Sequence, residues 1–440
     1  MTQTPVGYST YELDFERLKK DSNKWVESLR TEAWLSFKNL GFPTARKGNE
    51  PWKYTNVKTI AETPVILGSH PVPNVSLNEI SEIAPWSNDW TNIVFVNGRF
   101  MDDLSNIDGT EAQVSTLNMA FSENSKDIEE ALGKTAKWKE DAFIALNTAF
   151  IQDGVYIKVP QNIKVEKPIN VLFLTMPKDE PEVSYPRILI DCQANSQLTV
   201  YESYIGMTDG KYFTNSVSEI TLREGSLLEH VRIMYESEES FHIGTSRVSQ
   251  ASSSKFNSKV FERRVGLGRF DLLTNLEGPQ SSCDLNGLYF TSGQQHVDNY
   301  INIDHKEPHA TSRLYYKGIL DGKSRAVFGG TVYVQPGAIK TDSRQEDKNL
   351  VLSPDAEIDS KPALFIWADD VVCGHGATAG NIDQDTVFYM RSRGLDLETA
   401  SRLLIFGFAS EIIEKIDDGH LRDYIESLFL ESLPSYKFEF

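Results

Sequence analysis

Apolar positions change their period twice along this chain. From Tyr11 to Leu40 they recur at Phe15, Leu18, Trp25, Leu29, Ala33, Phe37 and Leu40. Steps of three, four and seven lie on one helix face, so the spacing predicts helix here, interrupted near Ser22-Asn23. Gly41-Phe42-Pro43 stops it. The segment "GNEPWKYTNVK" follows, with Asn49, Pro51, Trp52 and Tyr54, and mixed structure runs to about residue 110. A second helical stretch is expected over roughly 111–150.

From about Gly154 to Tyr389 the period falls to two. Short runs such as "VYIKV", "INVLFL", "QLTVYESY", "FNSKVFE", "RLYYKGIL" and "RAVFGGTVYV" are separated by Asn, Asp, Gly, Ser and Pro, the pattern of strands and turns. No amphipathic helix interrupts them, and two-residue Asn-Gly hairpin turns are few. A barrel, a large sandwich, a propeller and a parallel solenoid all fit this pattern. No clean sequence repeat selects one of them.

The helical period returns near the end. Asp396 can cap a helix, and Leu397, Ala400, Leu404, Phe408, Ile412 and Ile416 form an i, i+3/i+4 stripe. Gly407 lies inside it, at a cost of about 1 kcal/mol relative to Ala. Leu403, Ile405, Phe406 and Ile413 widen the apolar surface beyond one stripe, which suits a partner as well as a core. Gly419 is expected to end this helix, and "HLRDYIESLFLESL" forms a second. These shifts divide the chain into a mainly helical N-terminal region (1–150), a strand-rich core (151–388) and a C-terminal helical region (389–440).

Composition narrows the function classes. The 440 residues carry a formal net charge of -19, with 40% hydrophobic and 24% charged residues. That balance fits a globular protein and argues against a nucleic-acid-binding surface. The first twenty residues have no basic leader followed by an apolar run, and no segment approaches the roughly 18 apolar residues of a membrane span. Three cysteines, Cys192, Cys283 and Cys373, are too few and too scattered for a disulfide framework. Free thiols in a reducing compartment, the cytoplasm, are expected.

Candidate chemistry centres on "VVCGHGATAG", Val371 to Gly380. On a strand Cys373 and His375 point to the same face. A thiolate and an imidazole can hold iron or a sulfur species, but a stable metal centre takes three or four ligands. On spacing alone, a buried cysteine in a turn beside a hydrogen-bonded histidine is the simpler reading. Asp369, Asp370, Asp383 and Asp385 flank the pair and can act as acid and base or cap loops. His305 and His309 are four apart, but Pro308 opposes a helix there and the H-E-x-x-H pattern is absent. His230 and His296 show no partners in sequence. "VGLGRF" lacks a third glycine, and neither a Walker lysine motif nor a G-x-S-x-G elbow occurs.

The block from "VFGGTVYVQPGAIKTDSRQEDKNLVLSPD" through "VVCGHGATAG" to "DLETASRLLIFGFASEII", Val327 to Ile413, resembles the SufB/SufD family of iron–sulfur cluster assembly proteins. So do "NEPWKYTNV", "DAFIALNTAFIQDGVYIKVP" and "HKEPHATSRLYYKGILDGKSRAVFGG". "CGHGAT" and "FYMRSRG", including Arg391 and Arg393, are similar to the SufD branch rather than to SufB. The resemblance implies a right-handed parallel β-helix flanked by helical regions and no independent enzyme activity. It implies pairing with SufB, docking of the SufC ATPase on the C-terminal helices (Leu404, Phe408, Ile412), and sulfur supply by a cysteine desulfurase system. His375, with Cys373 beside it, corresponds to the family's interface residues, where a transient cluster forms with further ligands from SufB. Some complexes of this kind hold reduced flavin, for which no residue here is assigned. The competing readings are a SufB-like homodimer and a β-helix carbohydrate-active enzyme.

Overall fold

The computed structural model describes residues 8–20, 24–68, 74–123, 125–177 and 180–433. The expected helix break near Ser22-Asn23 lies outside the described residues. Its flanks are two helices, Tyr8–Lys20 and Lys24–Leu40.

The strand-rich region winds into a parallel β-helix. From Ile169 onward consecutive long strands alternate between two sheets, and each pairs in parallel with the strand one full turn earlier. One sheet runs through Arg187–Cys192, Tyr212–Leu222, Phe241–Gln250, Leu267–Leu276, His296–His305 and Arg325–Val334. The other runs through Ile169–Thr175, Gln197–Gly206, Leu227–Tyr235, Lys255–Arg263, Ser282–Thr291, Thr311–Leu320, Asp342–Val351 and Val372–Gly380. Parallel pairing needs a crossover, and the strand in the opposite sheet supplies it.

Stacked partners Leu227, Lys255, Ser282, Thr311, Asp342 and Val372 lie 28, 27, 29, 31 and 30 residues apart. This drift hides the repeat from a sequence search. So do the corners. Asn195, Ser253, Gln280, His309, Lys340 and Asp370 all have φ between 56° and 62°, and Gly225 has φ 66°. All but Asp370, the last, bond through the N–H to the carbonyl of the corner above, as in His309 N to Ile339 O at 2.9 Å and Lys340 N to Asp370 O at 2.8 Å. One left-handed residue per turn makes the bend; only Gly225 is a glycine, and Ser253, Gln280 and Lys340 are types that seldom adopt it.

The interior alternates with the exterior along each strand. Val200, Leu228, Phe256, Leu285, Leu314 and Phe328 face inward and belong to one continuous apolar core. The two outer faces are covered by the flanking helical regions. Tyr11, Phe15, Trp34 and Phe37, with Phe143 and Phe150 of the Ala142–Phe150 helix, pack on Tyr185, Phe213 and Ile243 of one sheet. The motif "NEPWKYT" clamps this region to the solenoid. Trp52 lies 4.1 Å from the Arg269 guanidinium, and Thr55 bonds His296 Nε2 at 3.0 Å and the Asp298 carboxylate. His296 thus gains the partner its sequence context did not show.

The C-terminal helices cover the other sheet. Gln384–Arg391, Leu397–Ile413 and Gly419–Ser432 are capped by Asp383, Asp396 and Asp418, whose carboxylates accept from Thr386 N, Thr399 N and Leu421 N. Gly419 therefore opens the last helix and does not end the preceding one, because Asp418 before it is the cap. Ser401, Ile405, Ala409, Ile412, Ile413 and Ile416 face inward and pack with Leu288, Phe290 and Ile319. The buried stripe keeps Ala400, Ile412 and Ile416 of the one expected but is rotated toward Ile405, Ala409 and Ile413, with Leu404 and Phe408 at its edge.

Candidate functional site

Val372–Gly380 is the last strand of its sheet, pairing only with Asp342–Val351 among the described residues. Its outer edge carries free N–H and C=O groups, a template for one more strand. On the adjoining sheet end Phe365 is 47% and Trp367 56% exposed, and Val372 at the edge is 63% exposed. Tyr333, Phe365 and Trp367 stack nearly parallel, with centroids 5.4 to 6.5 Å apart. The solenoid therefore ends in an uncovered edge with an apolar rim.

Cys373 and His375 lie on this strand, in register with Ser343 and Gln345. Both continue inward-facing files, Cys283–Ser312–Ser343–Cys373 and Leu285–Leu314–Gln345–His375. Below the last turn such side chains are buried; at the last turn Cys373 is half-buried and His375 exposed. Burial pushes the Cys373 thiol up, opposed by a hydrogen bond from the Ser343 backbone. His375 Nδ1 lies 3.4 Å from Gln345 Nε2. The structure thus brings the pair to one face of an exposed edge, in a strand and not a turn. No third Cys, His, Asp or Glu completes a metal site among the described residues.

The other cysteines are inert. Cys192 and Cys283 are buried, and burial pushes the Cys192 thiol up to about 12 and the Cys283 thiol up as well; such thiols are poor nucleophiles. The flanking carboxylates have structural work. Asp370 is the last corner residue and pairs with Lys340 Nζ at 2.6 Å. Asp383 caps a helix whose first turn holds Asp385, and Asp369 is exposed beside the corner. His309 is a corner residue. His305 ends a strand, its Nε2 2.8 Å from Ser312 Oγ, and burial pulls it down to about 4, so it is neutral.

Sequence reasoning missed the groups beneath the last strand. "DSRQEDKNLV" contains no alternating apolar face, yet forms strand Asp342–Val351. Its inward side chains are Ser343, Gln345, Asp347 and Asn349, all buried. Asp347 Oδ2 accepts from Ser360 Oγ at 2.6 Å and Asn349 Nδ2 at 2.7 Å, and burial pushes its carboxyl up to about 6 despite them. The one sequence signal was polarity at both alternating sets of positions. His230, partnerless in sequence, bonds Glu202 and Ser258 at 3.1 Å inside the solenoid.

On the C-terminal helices Ile412 is wholly enclosed in the chain's own core, which leaves it no surface to offer a partner. Leu404 and Phe408 are half-buried, and Phe408 lies 4.3 Å from Lys317 Nζ. The outward surface instead presents Leu403, Phe388, Tyr389 and Leu430, exposed by 41 to 73%. Arg393 stacks on Tyr389 at 3.4 Å.

A cavity of about 150 Å³ lies between Asp127, Lys158, Asp191 and Arg223. It is smaller than the roughly 300 Å³ at which ligand pockets begin, and four of its charged groups are paired with one another, Lys158 with Asp127 and Arg223 with Asp191. It does not fit a flavin. No described helix is long and apolar enough to cross a membrane.

The fold is an open-ended parallel β-helix with a thiol and an imidazole on its terminal strand. The family model for the SufBD core domain of SUF-system iron–sulfur cluster assembly matches residues 173–408, and that for the SufBD N-terminal region matches residues 8–171. An iron–sulfur cluster assembly SufBD family protein of Synechocystis is 32% identical over 394 residues, 86% of each chain. Iron–sulfur cluster assembly protein SufD of Escherichia coli is 28% identical over 403 residues, 90% of each chain. SufD of Bacillus subtilis is 24% identical over 431 residues, 92% of this chain and 94% of that one. The chain belongs to the SufBD family and is an iron–sulfur cluster assembly protein.

Proposed function

We propose that this chain is a SufD-type scaffold subunit without catalytic activity of its own. It adds its terminal edge to SufB, and the nascent cluster, the cargo of the complex, forms beside that edge. His375 is a ligand from this side, with Cys373 next to it and the remaining ligands from SufB. The carrying observation is the terminal strand Val372–Gly380, which has no strand on its outer edge among the described residues and exposes His375 at the open end. Two ligands on an edge are half a site, and strand addition supplies the other half.

The C-terminal helices dock the SufC ATPase through Leu403, Phe388 and Tyr389, which the solenoid leaves outward, with half-buried Leu404 and Phe408 at the margin. Sulfur arrives from a cysteine desulfurase system. We place reduced flavin with the assembled complex, not this chain, and the complex in the cytoplasm. The similarity to proteins named SufD supports the branch.

The test is co-expression with SufB and SufC. The expected result is co-purification of all three, with iron and sulfide lost in the His375→Ala complex. Full cluster content with His375→Ala refutes the ligand role, and absence of SufC from the complex refutes the docking role. A free edge also pairs with a second copy of itself, so the native mass of the chain alone and with SufB separates homodimer from heterodimer.

A further inference from the structure

Residues 434–440, "PSYKFEF", lie outside the described residues, and their pattern differs from that of the helices before them. Tyr436, Phe438 and Phe440 alternate with Lys437 and Glu439. In an extended chain that alternation sets three rings on one side and both charges on the other. Leu433, the last described residue, is already extended, with φ -65° and ψ 126°, as a residue before proline favours. An extended segment with one aromatic side needs an apolar surface to lie on.

Such a surface begins where the described chain stops. Arg402 Nη1 donates to Leu433 O at 3.1 Å and Nη2 to Leu430 O at 3.0 Å, so helix Leu397–Ile413 meets the end of helix Gly419–Ser432 there. Leu403, beside Arg402, is exposed, and so is Leu430. Gly407 is four residues beyond Leu403, on the same helix face, and is exposed too. Glycine inside a helix costs about 1 kcal/mol relative to Ala. A Cβ at Gly407 would meet nothing within 4 Å, so packing within the described chain gives no reason for the glycine. The neighbouring helix Gln384–Arg391 adds exposed Phe388 and Tyr389, and Arg393, stacked on Tyr389 at 3.4 Å, brings a positive charge to the rim.

We propose that residues 434–440 fold back over this face, with Tyr436, Phe438 and Phe440 against Leu403, Gly407 and Leu430, and cover it until a partner displaces them. Reach, tethering and charge select this occupant. Seven extended residues span about 23–25 Å, whereas the face starts one arginine side chain away from Leu433. A short tether holds the rings at an effective concentration in the millimolar range, so a contact too weak to bind a separate peptide holds this one. Glu439 brings a carboxylate to the side of the face that carries Arg393. Gly407 lets a ring lie directly on the helix backbone. The competition with a partner rests on the ATPase docking proposed above for this face; the contact itself does not.

The full chain carrying Phe438→benzoylphenylalanine tests the contact. Irradiation of the chain alone at low micromolar concentration, with the crosslinks mapped by peptide mass, is expected to join position 438 to residues 397–413 or 419–432 of the same molecule. Crosslinks to strand Val372–Gly380, which offers an alternating segment a free edge, crosslinks between two copies, or none at all overturn the proposal. Competition is read by titrating SufC into the parent chain and into a full chain with Tyr436→Ser, Phe438→Ser and Phe440→Ser. A face open for about a tenth to a third of the time weakens partner binding about three- to tenfold, so the triple variant is expected to bind SufC tighter by that factor, and SufC to suppress the crosslink. Equal affinities overturn the competition. Failure of SufC to bind either chain refutes the docking role proposed above, while the crosslink still decides whether 434–440 cover the face.

Discussion

Replacing Asp347 with Asn tests the polar end of the solenoid. Asp347 is buried, one carboxylate oxygen is held by Ser360 and Asn349, and the other has no partner among the described residues. Burial pushes the carboxyl from 3.8 up to about 6. Because the folded value is the higher, the folded chain binds the proton more tightly than the unfolded one. Below pH 3.8 both states are protonated and the group costs nothing. As pH rises to about 6 the penalty grows, and above that it is constant at roughly 3 kcal/mol, at 1.36 kcal/mol per pKa unit. Asn keeps an acceptor for Ser360 and Asn349 and carries no charge. Asp347→Asn is therefore expected to raise the melting temperature at pH 8 by about 3–6 °C, with about half that gain at pH 5. Thermal melts of both chains by circular dichroism, at low concentration, measure it. Equal gains at the two pH values, or a variant that melts below the parent at pH 8, would show that burial does not set this group's energy.

Three further outcomes follow from packing and charge. Ile412→Ala is expected to cost about 2–5 kcal/mol by opening a cavity, whereas Leu403→Ala stays within about 0.5 kcal/mol; similar losses in denaturant melts would contradict the rotated helix face. In the native chain alone, a thiol reagent at pH 8 should modify Cys373 and leave Cys192 and Cys283 intact, and labelling that survives Cys373→Ser would contradict their burial. Glu202 is pushed up by burial, but its bonds and charge contacts with His230, Arg232 and Tyr204 prevail and hold it down at about 2. Its contribution is present above pH 4.5 and lost as pH falls toward 2, so Glu202→Gln should destabilise by about 3–5 kcal/mol at pH 7; a neutral effect there would mean Arg232 and His230 find other partners.

Much of the chain was legible because local rules suffice. Asp396 was readable as a cap from its place before an apolar run. "VYIKV" and "RLYYKGIL" were readable as strands from their alternation and β-branched or aromatic content. "DSRQEDKNLV" was not, because its inward positions are polar, and only the stacked neighbours Thr311–Leu320 and Val372–Gly380 make it a strand. The helix stripe held at Ala400, Ile412 and Ile416 but not fully at Leu404 and Phe408, which are half-buried, for a similar reason. With apolar residues on several faces, the seating on Leu288, Phe290 and Ile319 chose which face turned inward.

By itself the sequence determined the helical ends, the strand-rich middle, the scarcity of thiols and the place of Cys373-Gly374-His375 as two side chains on one face. Those depend on residues a few positions apart, where side-chain period and capping act directly. Tertiary structure decided that the strands stack as a solenoid, that Asp370 and His309 are bends, and that Ser343 and Gln345 lie beneath Cys373 and His375. That stacking rests on left-handed corners filled by Asn, Ser, Gln, His, Lys and Asp, types that share no signature, and on turns of 27 to 31 residues. It also decided the exposure of the pair, since His375 is open only because no strand stacks beyond it among the described residues.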